Sequence, residues 1–228
     1  MNKTYAIADL HGVFKLWKKV VEYIDETDII YFLGDANDRG DDGIKIIKEL
    51  LLDKRVIYIR GNHEQILLMD YIYSNVHNIY EPELLEEWFN NGGLATYNDL
   101  MNMELDEQWR LWTQLHNNTI FKTKYINANG QEVLLSHAGT HIELWNVTKN
   151  IDFLWDRKHI DRIWFPNKEY ENIYLVHDHI PMMLIKPSSK EVINYYGGHK
   201  FDIDIGSFWQ NKVALFDLDT FETTYLSC

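Results

Sequence analysis

The chain has 228 residues, 46% hydrophobic and 25% charged, enough to bury a sizeable core as one domain, 1–228. Its 35 Asp and Glu outnumber 22 Lys and Arg, and the net charge of −13 excludes a general binder of nucleic-acid backbone, which needs a basic face. The single cysteine, Cys228, excludes an internal disulfide and a thiolate metal site and points to a cytoplasmic setting, and no run approaches the ~20 apolar residues of a membrane span.

Thr4–Ala8 reads as a first strand that leaves through Asp9-Leu10-His11-Gly12, and Phe14, Trp17, Val20, Val21 and Ile24 then recur at helical spacing. Asp28–Phe32 is a second strand, ending in Leu33-Gly34-Asp35-Ala36-Asn37-Asp38-Arg39-Gly40. Ile44, Ile47, Leu50 and Leu51 mark a second helix, and Arg55–Ile59 a third strand that runs into Arg60-Gly61-Asn62-His63-Glu64. Strand–helix–strand–helix–strand order implies parallel pairing through crossovers, hence an α/β fold with a mixed sheet.

Residues 81–115 form a helical insertion beside the strand ends: Pro82 opens one helix, Asn90-Asn91-Gly92-Gly93 breaks it, and a second runs over 105–115. Thr119–Tyr125 and Gln131–Leu135 read as a hairpin turning at Asn129-Gly130. Strands follow at Ile173–Val176, Val192–Tyr195, Phe201–Ile205, Lys212–Phe216 and Thr223–Leu226.

Five strand ends thus carry oxygen or nitrogen donors: Asp9 and His11, Asp35, Asn62, His137 and His179. Each alone has an ordinary explanation, as a helix cap, a turn residue or a packed histidine. Together, at the sheet edge where open α/β folds bind ligands, they describe a metal site. Asp9, His11 and Asp35 suit one ion, and Asp35, Asn62, His137 and His179 a second, with Asp35 shared. Two ions ~3.5–4 Å apart activate water and clamp a phosphate ester, and an O/N donor set without sulfur suits Mn²⁺, Fe, Zn²⁺ or Mg²⁺.

Asp9-x-His11, Gly34-Asp35-x-x-Asp38-Arg39-Gly40 and Gly61-Asn62-His63-Glu64 resemble the three signature motifs of the phosphoprotein phosphatase (PPP) family, a branch of the calcineurin-like metallophosphoesterases. Trp88-x-x-Asn91-Gly92-Gly93-x-x-Thr96 resembles a helical segment of its bacterial members. Ser136-His137-Ala138-Gly139, Leu154-Trp155-Asp156-Arg157, Val176-His177-Asp178-His179-Ile180-Pro181 and Ile203-Asp204-Ile205-Gly206 continue the likeness in order.

The resemblance implies a four-layer β-sandwich flanked by helices, and two divalent ions, Mn²⁺ first, with Fe, Zn²⁺, Ni²⁺ or Mg²⁺ as substitutes. It makes His63 the general acid, oriented by Asp38, with Arg39, Arg60 and Arg157 gripping the phosphate. It also implies direct hydrolysis of a phosphorylated protein or small phosphorylated substrate by a hydroxide bridging the ions, without nucleic acid or membrane. A serine/threonine phosphatase is the expected type, and a dinucleoside polyphosphate (diadenosine tetraphosphate) hydrolase the alternative. Asp178 stands where the family has glycine; His177 competes with His179 for the last ligand position, and Pro181 keeps the spacing that favours His179. The acids of the insertion, set against Arg110 alone, favour a basic-flanked phosphopeptide over a polyphosphate.

Overall fold

A computed structural model describes residues 2–157, 170–181, 184, 186 and 191–228. The chain opens with β1 (Thr4–Ile7), α1 (Phe14–Tyr23), β2 (Ile29–Phe32), α2 (Gly43–Leu52) and β3 (Val56–Ile59). A π-helical stretch, His63–Met69, runs into α3 (Asp70–Val76), followed by α4 (Pro82–Asn90), α5 (Leu94–Met101), α6 (Leu105–Asn118) and β4 (Thr119–Ile120). Then come β5 (Lys122–Ile126), β6 (Glu132–Ser136), β7 (Ile173–His177), β8 (Ile193–Tyr195), β9 (Lys200–Asp202), α7 (Ser207–Gln210), β10 (Lys212–Asp217) and β11 (Thr223–Ser227).

These strands form two mixed sheets, ordered β11-β10-β1-β2-β3-β4 and β5-β6-β7-β9-β8. Period-2 alternation decides which side chains meet where. Ala6, Tyr31, Leu33 and Ile59 point inward against Val133, Leu135, Val176 and Phe201 of the other sheet, closing the sandwich. Their neighbours Ile7, Ile30, Phe32 and Tyr58 point outward into the core shared with the helices, where Leu16, Trp17 and Val20 of α1 supply the 3.6-residue stripe. Leu134 and Leu175 face the other way, packing under Ile142, Trp145 and Phe153. The result is helix, sheet, sheet and an outer layer of short helical turns.

β1, β2, β3 and β4 run parallel, as do β6, β7 and β9. The C-terminal ends of both parallel sets therefore open on one edge. The ladder continues past the strands there: Asp9 N donates to Gly34 O at 3.1 Å, His11 N to Asp35 O at 3.0 Å and Gly12 N to Ala36 O at 2.8 Å. The Asp9 and Asp35 loops are thus held in register with each other.

Two details differ from the sequence reading. The apolar run 119–125 is split: β4 pairs with β3 in the first sheet, and β5 pairs antiparallel with β6 in the second. The hairpin exists, but it starts at Lys122 and its first two expected residues belong to the other sheet. The segment after Gly93 is also helical, as α5, which buries only Thr96 and Leu100.

Lys200 on β9 is 5% exposed, and burial lowers its ammonium pKa to about 7, against the opposing pull of Asp202 and Asp156. The unfolded chain keeps that proton to about pH 10, so stability rises with pH between about 7 and 10 and the burial cost is full below about 7. Lys200→Met is therefore expected to stabilise the protein by on the order of 2–4 kcal/mol near pH 6.5, with the gain fading towards pH 10. Urea unfolding at both pH values checks this, and a gain independent of pH would contradict it.

Candidate metal centre

Six residues at the open edge hold positive φ without being glycine: Asp9 (46°), His11 (41°), Asp35 (58°), Asp38 (67°), Arg39 (66°) and His179 (85°). Each such conformation costs ~1–3 kcal/mol and persists where the surroundings enforce it. Here Glu64 does much of the enforcing. Its Oε1 accepts from Ala36 N (2.6 Å) and the Tyr58 hydroxyl (2.9 Å), and its Oε2 from Asp35 N (3.0 Å) and Gly61 N (2.8 Å). Gly61 must lack a side chain, because a Cβ there would strike Asp35 Oδ1.

The two oxygens of Asp35 face different groups. Oδ2 lies 3.7 Å from His11 Nε2, which is 4.0 Å from Asp9 Oδ2. Oδ1 lies 3.6 Å from His137 Nε2. That nitrogen is 2.8 Å from Asn62 Oδ1 and 3.2 Å from His179 Nδ1, itself 3.0 Å from the same Asn62 oxygen. All six residues are buried. Two close donor groups result, His11 with Asp35 and His63, and Asp35 with His137 and His179, while Asp9 approaches the first through His11, and it is His179, not His177, that reaches Asn62 and His137. His177 instead places Nδ1 against Asp178 O at 3.1 Å.

The backbone selects the tautomers. A carbonyl only accepts, so His11 Nδ1 donates to Asn37 O (2.9 Å) and His137 Nδ1 to Leu33 O (2.9 Å), which turns the Nε2 lone pairs inward. His11 Nε2 and Asp9 Oδ1 have no hydrogen-bond partner although buried. Orphaned inward lone pairs, a carboxylate split between two groups and two imidazoles in contact fit a pair of divalent cations. A third close group, Asp9, His137 and Asp178, fits less well. The His137 nitrogen nearest Asp178 is Nδ1 (3.1 Å), already donating to Leu33.

Burial and charge act on each donor in its own way: burial would lower His137, but Asp35, Asp9 and Glu64 outweigh it and raise the imidazole. Burial would raise the Asp35 carboxyl, yet His137, His63, His11 and His179 hold it well below its ordinary value. Burial pushes His11 and His179 well down, leaving them neutral and ligand-ready. The Asp9 carboxyl is driven well up by burial and by Asp204, Asp178 and Asp35, a repulsion that a cation would offset.

His63 opens the π-helical stretch, with Nδ1 2.6 Å from Asp38 Oδ2 and Nε2 3.7 Å from Asp35 Oδ2. Burial would lower its pKa, but Asp35 and Asp38 outweigh that and raise it. Of the three expected phosphate arginines, two reach the centre. Arg39 keeps a buried, unpartnered Nη1 and lies 4.7 Å over the Trp209 ring, and the exposed Arg157 places Nε 3.3 Å from His179 Nε2. Arg60 is committed elsewhere: it is buried, donating to Thr119 Oγ1 (2.8 Å), Gln65 Oε1, Leu115 O (3.1 Å) and His116 O (3.4 Å). Those partners tie β3 to the end of α6, so Arg60 reads as a structural strut.

Sequence reasoning left Glu64 without a role and read Trp88 as core packing or, alternatively, as cleft lining. Both stood inside quoted motifs, which was the available signal. Trp88 Nε1 donates to both oxygens of Asp38 at 3.0 Å.

The sequence profile of calcineurin-like phosphoesterases matches residues 3–205. Over 90 residues the chain is 34% identical to the symmetrical bis(5'-nucleosyl)-tetraphosphatase of Wigglesworthia glossinidia brevipalpis, covering 38% of this chain and 32% of that protein. The chain therefore matches about a third of that relative's length. The asymmetrical bis(5'-nucleosyl)-tetraphosphatase PrpE of Oceanobacillus iheyensis is 24% identical over 239 residues, covering 92% of this chain and 86% of that one. Among solved structures, a cold-active protein-tyrosine phosphatase from a psychrophilic Shewanella shares the fold at TM-score 0.62 and 13% identity, across 99% of this chain and 77% of that one. With the profile running through all the strand ends that carry the donor residues, the chain belongs to the calcineurin-like phosphoesterase family.

Proposed function

We propose that this protein is a metal-dependent hydrolase of dinucleoside polyphosphates, cutting a phosphoanhydride in a compound such as diadenosine tetraphosphate. The observation that carries the chemistry is Asp35, whose oxygens face Asp9 and His11 on one side and Asn62, His137 and His179 on the other. The substrate class follows the relatives, one of which spans nearly the whole chain. In this reading Asp9, His11 and Asp35 hold one ion and Asp35, Asn62, His137 and His179 the other, with Mn²⁺ first and Fe, Zn²⁺, Ni²⁺ or Mg²⁺ as substitutes. When bound, the ions supply charge neutralisation at the phosphoryl oxygens and a strong nucleophile at neutral pH. Arg39 donates its unpaired Nη1 to the phosphate, Arg157 covers the opposite side, and His63 gives the Nε2 proton to the departing oxygen while Asp38 holds its Nδ1. The single cysteine fits work in the cytoplasm.

The charge argument for a phosphopeptide loses its ground. Glu81, Glu83, Glu86, Glu87, Glu104, Asp106 and Glu107 are exposed, and Glu107 pairs with Lys48 at 3.0 Å, so water and counterions screen these acids and little of their charge is felt by a substrate. One observation still favours a second reading, a serine/threonine phosphomonoesterase. A built proton donor, His63 on Asp38, matters most for a strongly basic alkoxide leaving group and least for a departing phosphate. Steady-state comparison of diadenosine tetraphosphate with a phosphoserine peptide, both with Mn²⁺, decides: kcat/KM at least tenfold higher for the dinucleotide is expected. The reverse order moves the assignment to the phosphomonoesterase.

A further inference from the structure

The helical insertion ends in contact with the catalytic loop, not above it. Trp88, on the last turn of α4, is fully buried in the helix-side core, its ring 5.2 Å from Tyr71 and 6.1 Å from Tyr97. Its indole N–H, a donor only, meets Asp38 Oδ1 and Oδ2 at 3.0 Å each, while Asp38 Oδ2 also takes His63 Nδ1 at 2.6 Å. The backbone N of Asp38 donates to Thr96 Oγ1 of α5 at 3.0 Å, and Arg39 N donates to Gly92 O at 2.8 Å. Gly93 is required for this placement, because a Cβ there would fall within the indole ring. The spacing Trp88-x-x-x-Gly92-Gly93-x-x-Thr96 therefore delivers an indole donor, a carbonyl and a hydroxyl to Asp38 and Arg39 at once.

A buried carboxylate with His63 as its sole partner would keep free lone pairs and could rotate to find others. A donor shared between both oxygens removes that freedom and fixes the oxygen that faces His63. We propose that Trp88 is a positioning residue for proton donation: its indole N–H holds Asp38 so that Asp38 holds His63. This rests on His63 acting as the general acid in the function proposed above.

Trp88→Phe keeps the buried ring and removes the donor. In the full-length protein with Mn²⁺, kcat for β-glycerophosphate, an alkyl ester, is expected to fall about tenfold, as the loss of one hydrogen bond to a charged group implies. For p-nitrophenyl phosphate, whose leaving group needs no proton, the fall should stay below about twofold, with KM and metal content unchanged for both. In a His63→Asn background the same change should do nothing more. Equal losses on the two esters, or losses that add to those of His63→Asn, overturn the proposal. Should Trp88→Phe not fold, the indole resonance compared between the unmodified protein and Asp38→Asn still gives an answer. The Trp88 indole ¹⁵N–H resonance should be protected from exchange and should move in Asp38→Asn, and a resonance that stays put in that variant overturns the contact. Unmodified protein inactive on every phosphate compound fails the functional reading itself and this inference with it, a result distinct from activity that ignores Trp88.

Discussion

Asp35→Asn is expected to empty both metal positions at once and to cut hydrolysis by about three orders of magnitude or more, the equivalent of losing several kcal/mol of charge stabilisation. The reason is geometric. Oδ1 and Oδ2 are each within 3.7 Å of a different group of inward nitrogens, and among the described residues Asp35 is shared by the His11–His63 and His137–His179 groups. Asparagine keeps one oxygen and turns an NH₂ towards histidines whose lone pairs already point in. The variant also withdraws the charge that holds His63 and His137 above their buried values. Elemental analysis after reconstitution with Mn²⁺ measures the ions directly. Two ions per chain in Asp35→Asn would show that the carboxylate does not bridge them.

The parts of this centre legible in the sequence were those carried by strand ends. A short apolar run stopped by Gly34 or followed by Gly61 needs no tertiary information to read, and the polar residues behind it must lie at the same edge once the strands are parallel. What stayed hidden depended on partners far along the chain. Arg39 and Arg60 look alike as motif arginines, but Arg60 meets Thr119 and the end of α6, 55 to 59 residues away, and is consumed there. The run 119–125 holds no glycine or proline to mark a break, so nothing local reveals that its first two residues pair with β3. The acids of the insertion read as a rim because their spacing alone does not say which face of α4 and α6 meets the core; Trp88, Leu111 and Leu115 take that face, and the acids turn outward. Trp88 itself reads as core, and it is core, but its one polar atom is what touches the site.

His63→Asn should separate proton donation from metal binding. His63 sits close enough to His11 and Asp35 to serve as a third ligand there, in place of Asp9. Two observations weigh against that. Asp9 Oδ2 offers a carboxylate oxygen to the same position, and His63 Nδ1 is tied at 2.6 Å to Asp38, which together with Asp35 raises its affinity for a proton. As a general acid His63 contributes roughly 10²–10⁴-fold, and the contribution scales with the basicity of the departing oxygen. Turnover of an alkyl phosphate should therefore collapse by about that factor, an aryl phosphate should lose far less, and a dinucleoside polyphosphate, whose leaving phosphate is weakly basic, should resemble the aryl ester. Both ions should remain bound. Loss of one ion, with equal damage to all three substrates, would make His63 a ligand.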